Sequence, residues 1–305
     1  MMDQRLWDVL ACPSCSKPLE DAESEAVCTG CGLRYPVTNG QVDLHLRGPK
    51  QVDFTFTLRP FGDDDPKYRI RPTPIPMNPN AVIDRDAFAF DDELWYGNGL
   101  TREWTSWLPG GTEDQILLDL GCGHRRIESV LRQTGMSYLG IDVAGPEPHV
   151  LGVAEALPVA DASIDTLFTL AVLPHTQRPW LAATEIFRVL KPGGVWLGSA
   201  QFLEPCAMAS RHHVTALGVL DWMEEGGFEV DHFEANARWS GVKAISWMGY
   251  YPRRPKQIGR AVAATVDGGH KLFRKLRPDL EDKPLGEGLP EAYAGGFRFV
   301  VRRPA

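Results

Sequence analysis

Four of the six cysteines have the spacing of a metal site. Cys12, Cys15, Cys28 and Cys31 follow Cys-x2-Cys-x12-Cys-x2-Cys, two knuckles that each present a pair of thiolates to one ion. Four thiolates complete a tetrahedron and leave no open position, so the chemistry expected is structural zinc and not catalysis. Disulfides are the competing reading. The N-terminus, Met-Met-Asp-Gln-Arg, is followed by no apolar signal core, so the expected location is cytoplasmic, where disulfides are disfavoured. Cys122 and Cys206 stand alone and read as small packing residues.

The second constellation is Ile116-Leu117-Leu118-Asp119-Leu120-Gly121-Cys122-Gly123. Aliphatic residues around Asp119 read as a buried strand, and the glycines as a tight turn into a helix. Such a turn brings backbone N–H groups close to a ligand and favours negative charge there. It is a candidate nucleotide-type cofactor loop. His124-Arg125-Arg126 follows and places a bulky cation where a third glycine would be expected.

Elements able to position these groups recur along the chain. Of 305 residues, 43% are hydrophobic and 24% charged, as in a globular protein with one large domain and one small. No apolar run approaches the ~20 residues of a spanning helix, and no membrane partner is expected. Residues 1–48 form a unit around the cysteines. Residues 49–114 combine a proline-rich linker with an aromatic helical stretch, in which Trp104 and Trp107 read as core and Trp95 and Tyr96 as core or lid. From 115 to 305 strands and helices alternate. The strands are Ile116–Leu120, Tyr138–Asp142, Ile164–Leu170, Val195–Ala200, Phe228–Phe233 and Phe297–Arg302. Helices are Arg126–Gln133, Trp180–Leu190 and Leu217–Glu225, with Thr215 as N-cap. Residues 236–295 form an insertion with a helical stretch near Ala261–Leu276. The fold class expected is α/β, a doubly wound, seven-stranded, mostly parallel sheet beside a small N-terminal zinc ribbon.

Leu10-Ala-Cys-Pro-Ser-Cys15, Cys28-Thr-Gly-Cys-Gly-Leu-Arg-Tyr-Pro-Val37 and Asn39-Gly-Gln-Val-Asp-Leu44 resemble the small zinc-ribbon activators of tRNA and release-factor methyltransferases. That resemblance implies a module packed against a methyltransferase domain. Residues from about 115 to 235, with the closing strand, resemble the class I S-adenosylmethionine-dependent methyltransferases (type 11-like). The motifs that carry the likeness are Asp119–Gly123, the strand-end Asp142, Ala154-Glu-Ala-Leu-Pro158, Val172-Leu-Pro-His175 and Glu185–Gly194.

The likeness implies S-adenosylmethionine as cofactor, held by Asp119, Gly121, Cys122, Gly123, Arg125, Asp142, Val143, Val153, Ala154, Glu155 and Leu170. A carboxylate at a strand's C-terminal end suits two adjacent ribose hydroxyls. Arg125, Val153 and Pro174 depart from the family pattern. Arg125 points outward, meets the cofactor's carboxylate or fills the pocket, and Val153 removes an acceptor for the adenine amino group. If the acceptor must lose a proton, the candidate bases are His175, Glu204, His212 and His213.

The expected substrate is a small or carrier-linked metabolite. The net charge of −8 argues against nucleic acid as a general partner but leaves a local basic groove open. Three alternatives stand beside this reading: a ribosomal or transfer RNA methyltransferase, a non-methylating S-adenosylmethionine enzyme such as a cyclase, and a degenerate binding subunit.

Overall fold

Asp3 caps the first helix, α1 (Gln4–Asp8), by accepting the Arg5 N–H on its side chain. Four short antiparallel strands follow: β1 (Leu19–Asp21), β2 (Glu25–Cys28), β3 (Arg34–Thr38) and β4 (Gln41–Asp43). Asn39 and Gly40 join β3 to β4 with φ of 51° and 79°, as a type I′ hairpin requires. The computed structural model describes residues 2–48, 106–203, 210–236, 256–278 and 294–305, with isolated positions at 50, 52, 104, 239–241 and 244–245. Most of the 49–114 segment, including Trp95 and Tyr96, lies outside the described residues, as do Glu204 and Cys206.

The large unit runs β5 (Ile116–Leu120), α2 (Glu128–Leu131), β6 (Ser137–Asp142), β7 (Val150–Leu151), β8 (Ile164–Leu170), α3 (Pro179–Val189), β9 (Leu190–Gln201), α4 (Ala216–Glu225), β10 (Glu229–Ala235), α5 (Lys256–Leu276) and β11 (Gly296–Arg302). Its strands lie in the order β7-β6-β5-β8-β9-β11-β10, with β11 antiparallel to both neighbours. That is the expected seven-stranded, mostly parallel sheet. β7 is the strand the sequence pattern did not mark. It has two residues between Pro148 and Gly152, and its pairing with neighbours on both sides defines it.

The sheet does not stop at β7. β4 pairs with β7 in parallel, Val42 opposite Val150, so the ribbon continues the sheet to eleven strands. Ala11 N–H donates to Pro158 O (3.0 Å) and Ala160 N–H to Val9 O (2.8 Å), so the ribbon also holds the 158–160 segment. Leu6, Leu10, Tyr35, Val42 and Leu44 share one core with Leu118, Leu139, Val150, Leu157 and Val159.

Strand alternation divides the core between the two faces. Ile116, Leu118 and Leu120 point to the layer formed with the ribbon, α3 and α4. Leu117 points to the other, with Tyr138, Phe168, Leu131 and the buried Trp104 and Trp107, which are core residues as expected. The helix after the glycine turn is shorter than Arg126–Gln133. Arg125 has φ +48°, which delays the helical start to Glu128, and Gly135 at φ +84° closes the 3-10 turn Arg132–Thr134 that ends it. Among the described residues no helix is long and apolar enough to cross a membrane.

Candidate active site and metal centre

The four cysteine sulfurs converge. All lie within 4.8 Å of one another, with Cys12 Sγ 3.7 Å from Cys31 Sγ and Cys15 Sγ 3.4 Å from Cys28 Sγ. A tetrahedron with ~2.3 Å metal–sulfur bonds has edges of roughly 3.8 Å. The N–H groups of Gly30 and Cys31 point at Cys28 Sγ, at 3.4 Å each, a donor pair that suits a thiolate. The Tyr35 hydroxyl lies 3.2 Å from Cys12 Sγ in the buried layer beneath. The set can hold one ion with its coordination closed.

The glycine loop sits at the C-terminal end of β5. Gly121 has φ +78°, and a Cβ there would come within 2.3 Å of Val172 Cγ2. Gly123 has φ +52°, and a Cβ there would meet nothing within 4 Å. Its backbone therefore borders open space. Gly123 N–H donates to Asp142 Oδ2 at 2.7 Å, and Val143 N–H to Asp142 Oδ1 at 2.7 Å. One carboxylate at the end of β6 thus ties the β5 turn to the β6 turn; Oδ1 also accepts the Ala144 N–H at 3.4 Å, while Oδ2 keeps a lone pair. With α2 only four residues long, the loop's capacity to hold a ligand rests on single N–H groups and this carboxylate, not on a helix dipole.

The remaining predicted cofactor residues take distinct positions. Val143 is exposed. Val153 and Ala154 begin the segment after β7, where Val153 O accepts the Ala156 N–H. Leu170 ends β8, half-buried. Glu155 Oε1 accepts the N–H groups of Gln177 (2.6 Å) and Arg178 (3.3 Å), so it secures the start of α3. Cys122 is buried, and burial, then the Asp119 and Asp142 charges, push its thiol up.

Asp119 lies inside the sheet, 1% exposed, accepting the Tyr138 hydroxyl at 2.7 Å. Burial pushes its carboxyl up to about 7. The Tyr138 hydrogen bond opposes that rise, and Asp142 and Glu128 add to it. An acid whose folded pKa is raised costs the fold stability as pH climbs from its unfolded value of ~3.9 through the folded one. Asp119→Asn keeps the acceptor and removes the charge. We expect the variant to match the parent near pH 4 and to exceed it above pH 7 by an amount on the order of 4 kcal/mol. Urea unfolding across that range measures the difference; parallel pH profiles would contradict it.

Arg125 turns to the sheet edge beneath the ribbon. Its Nη1 lies 2.7 Å from His149 Nε2 and 3.4 Å from Glu128 Oε2. Burial, then Arg125, push the His149 pKa down to about 4, so the ring is neutral above that value. A neutral ring has one free lone pair, yet Gly140 N–H also points at His149 Nδ1, at 3.1 Å, so the two donors compete for it. Arg125 lines a cavity of about 350 Å³ with Met2, Leu6, Gly40, Arg132 and His149. The sequence offered no sign of this contact, since the partner lies 24 residues away.

Among the described residues, the candidate bases His175, His212 and His213 gather around the loop after β8. His175 is exposed at the end of a 3-10 turn, Leu173–His175. The segment 210–213 packs on that turn, with the Arg211 and His212 N–H groups donating to Pro174 O at 2.7 and 3.1 Å. His212 Nε2 lies 3.3 Å from Gln177 O, and His213 Nδ1 2.8 Å from Phe202 O. Gln201 went unmarked by the sequence reasoning. It ends β9, and its buried Oε1 has no hydrogen-bond partner. Its place at a strand's C-terminal end was the available signal.

The methyltransferase domain family matches residues 118–197, and the Trm112p-like protein family matches residues 3–40. The chain thus joins a Trm112p-like module to a methyltransferase domain. An uncharacterized methyltransferase of Mycobacterium bovis (strain BCG / Pasteur 1173P2) is 34% identical over 115 residues, covering 30% of this chain and 45% of that protein. One from Mycolicibacterium gilvum is 30% identical over 138 residues, covering 39% and 51%. The chain spans about half the length of the curated relatives it matches. A complex of the Haloferax volcanii Trm112 methyltransferase activator with a methyltransferase is 15% identical, covers 67% of this chain and 88% of that one, and has a TM-score of 0.43.

Proposed function

We propose that the chain is an S-adenosylmethionine-dependent methyltransferase. It would carry one structural zinc in its ribbon and act on a small or carrier-linked metabolite. The observation that carries this reading is the joint made by Asp142 between the β5 and β6 turns, inside the segment that matches the methyltransferase domain.

The residues present fit that cofactor. Gly123 leaves backbone open to a ligand, Asp142 Oδ2 keeps a lone pair for a ribose hydroxyl, and the family resemblance would assign Val153, Ala154 and Leu170 to the purine side. When bound, S-adenosylmethionine supplies a methyl on a sulfonium, whose thioether departs without acid assistance. The protein's own work is then to align the acceptor and, where required, to take its proton. His213 is well prepared for that second task. Donation from Nδ1–H to Phe202 O fixes its tautomer and leaves Nε2 as the base. His175, His212 and Glu204 are the further candidates.

Incubating the full chain with methyl-labelled S-adenosylmethionine and a cell extract, then separating metabolites, lipids and RNA, tests this reading. Label in the metabolite or carrier-linked fraction is expected. Label confined to RNA would replace the acceptor class with nucleic acid. Consumption of the cofactor without label transfer would favour a cyclase-type reaction. No turnover and no binding would favour a subunit without catalysis.

A further inference from the structure

Helix α5 belongs to the insertion between β10 and β11. It carries six large apolar residues that the fold leaves uncovered. Ile258, Val262, Val266, Leu272, Phe273 and Leu276 are between 42% and 70% exposed. At 3.6 residues per turn, these positions share an arc of roughly 120° along all 21 residues of the helix. The same repeat places positions Lys256, Arg260, Lys271 and Arg274 on the opposite side, around Asp267. With Lys275, five basic residues against one acid leave +4 on a chain whose net charge is −8.

The two faces together restrict what can sit there. A polyanion alone would satisfy the basic side and leave the apolar side wet. A second copy of the helix would cover the apolar side while bringing two +4 segments together. An anionic lipid surface meets both needs. Apolar residues enter the headgroup–acyl boundary while lysines and arginines reach the headgroups. We propose that α5 docks the chain in-plane on an anionic lipid bilayer. The proposal does not depend on the methyltransferase reading. Gly259, Gly268 and Gly269 lower the segment's intrinsic helicity, so the surface also contributes to holding the helix.

Co-sedimentation of the full chain with phosphatidylcholine vesicles, with and without phosphatidylglycerol, tests the proposal. Binding to the anionic vesicles should exceed binding to neutral ones by about tenfold or more, and should fall in high salt. The double variant Leu272→Glu with Phe273→Glu should lose that binding at an unchanged melting temperature. Lys275→Glu should weaken it while leaving the apolar face intact. Equal sedimentation with both vesicle types, no sedimentation, or unchanged binding by the double variant would overturn the proposal. So would a dimer in sedimentation velocity that the double variant dissolves, in the absence of vesicle binding; the occupant would then be a second copy.

Discussion

Cys28→Ser should lower the melting temperature by roughly 10 °C or more, and the expected affinity for S-adenosylmethionine should fall with it. The four sulfurs form a closed set, all within 4.8 Å of one another. Structural zinc contributes an apparent ~10–16 kcal/mol in small ribbons, comparable to the ~5–15 kcal/mol of net stability in a whole domain. A three-thiolate site cannot retain all of that. A freestanding ribbon would unfold alone and leave the large unit intact. Here β4 is the outer neighbour of β7, and Val9 and Ala11 pair with the 158–160 segment. Losing the ribbon exposes β7 as an edge and strips Leu157 and Val159 of part of their packing. That segment follows Val153 and Ala154, the proposed purine wall. Metal analysis, thermal unfolding and cofactor titration on the same variant check the chain of effects. A variant without metal that keeps parental melting and cofactor affinity would show that the ribbon is an appendage.

Asp142→Ala should reduce S-adenosylmethionine affinity at least about tenfold and lower the melting temperature by several degrees. A hydrogen bond to a charged group contributes ~1.5–3 kcal/mol, and the variant loses the one that Oδ2 can offer the ligand. It also frees the Gly123 and Val143 N–H groups, which are held at 2.7 Å each, so the two turns lose their common anchor. Asp142→Asn keeps the size and should lie between parent and alanine, because the amide accepts on one side only. Calorimetric titration of the three proteins reads the order. Equal affinities would remove Asp142 from the site.

The parts of this molecule that could be read from its residues are those encoded locally. Two cysteine knuckles need no partner beyond the turn that holds them, and Ile116–Leu120 announces itself by composition. β7 could not be read that way, because Val150 and Leu151 form a strand only by pairing with β6 and β4. The same fact hid the continuity of ribbon and sheet. The residues alone left Arg125 free to point outward or toward the cofactor; its positive φ and the placement of His149 direct it under the ribbon. The amphipathic pattern of α5 was present in the sequence, but whether its apolar side met the core depended on the tertiary fold.

The central claim is that the turn after β5, tied by Asp142 and backed by the ribbon, holds S-adenosylmethionine. Isothermal titration of the zinc-loaded chain with S-adenosylmethionine tests it most directly. One site per chain with a dissociation constant in the micromolar range (about −8 kcal/mol at 1 μM), competed by S-adenosylhomocysteine, is the predicted result. No heat of binding and no competition with ligand raised to millimolar concentration would contradict it.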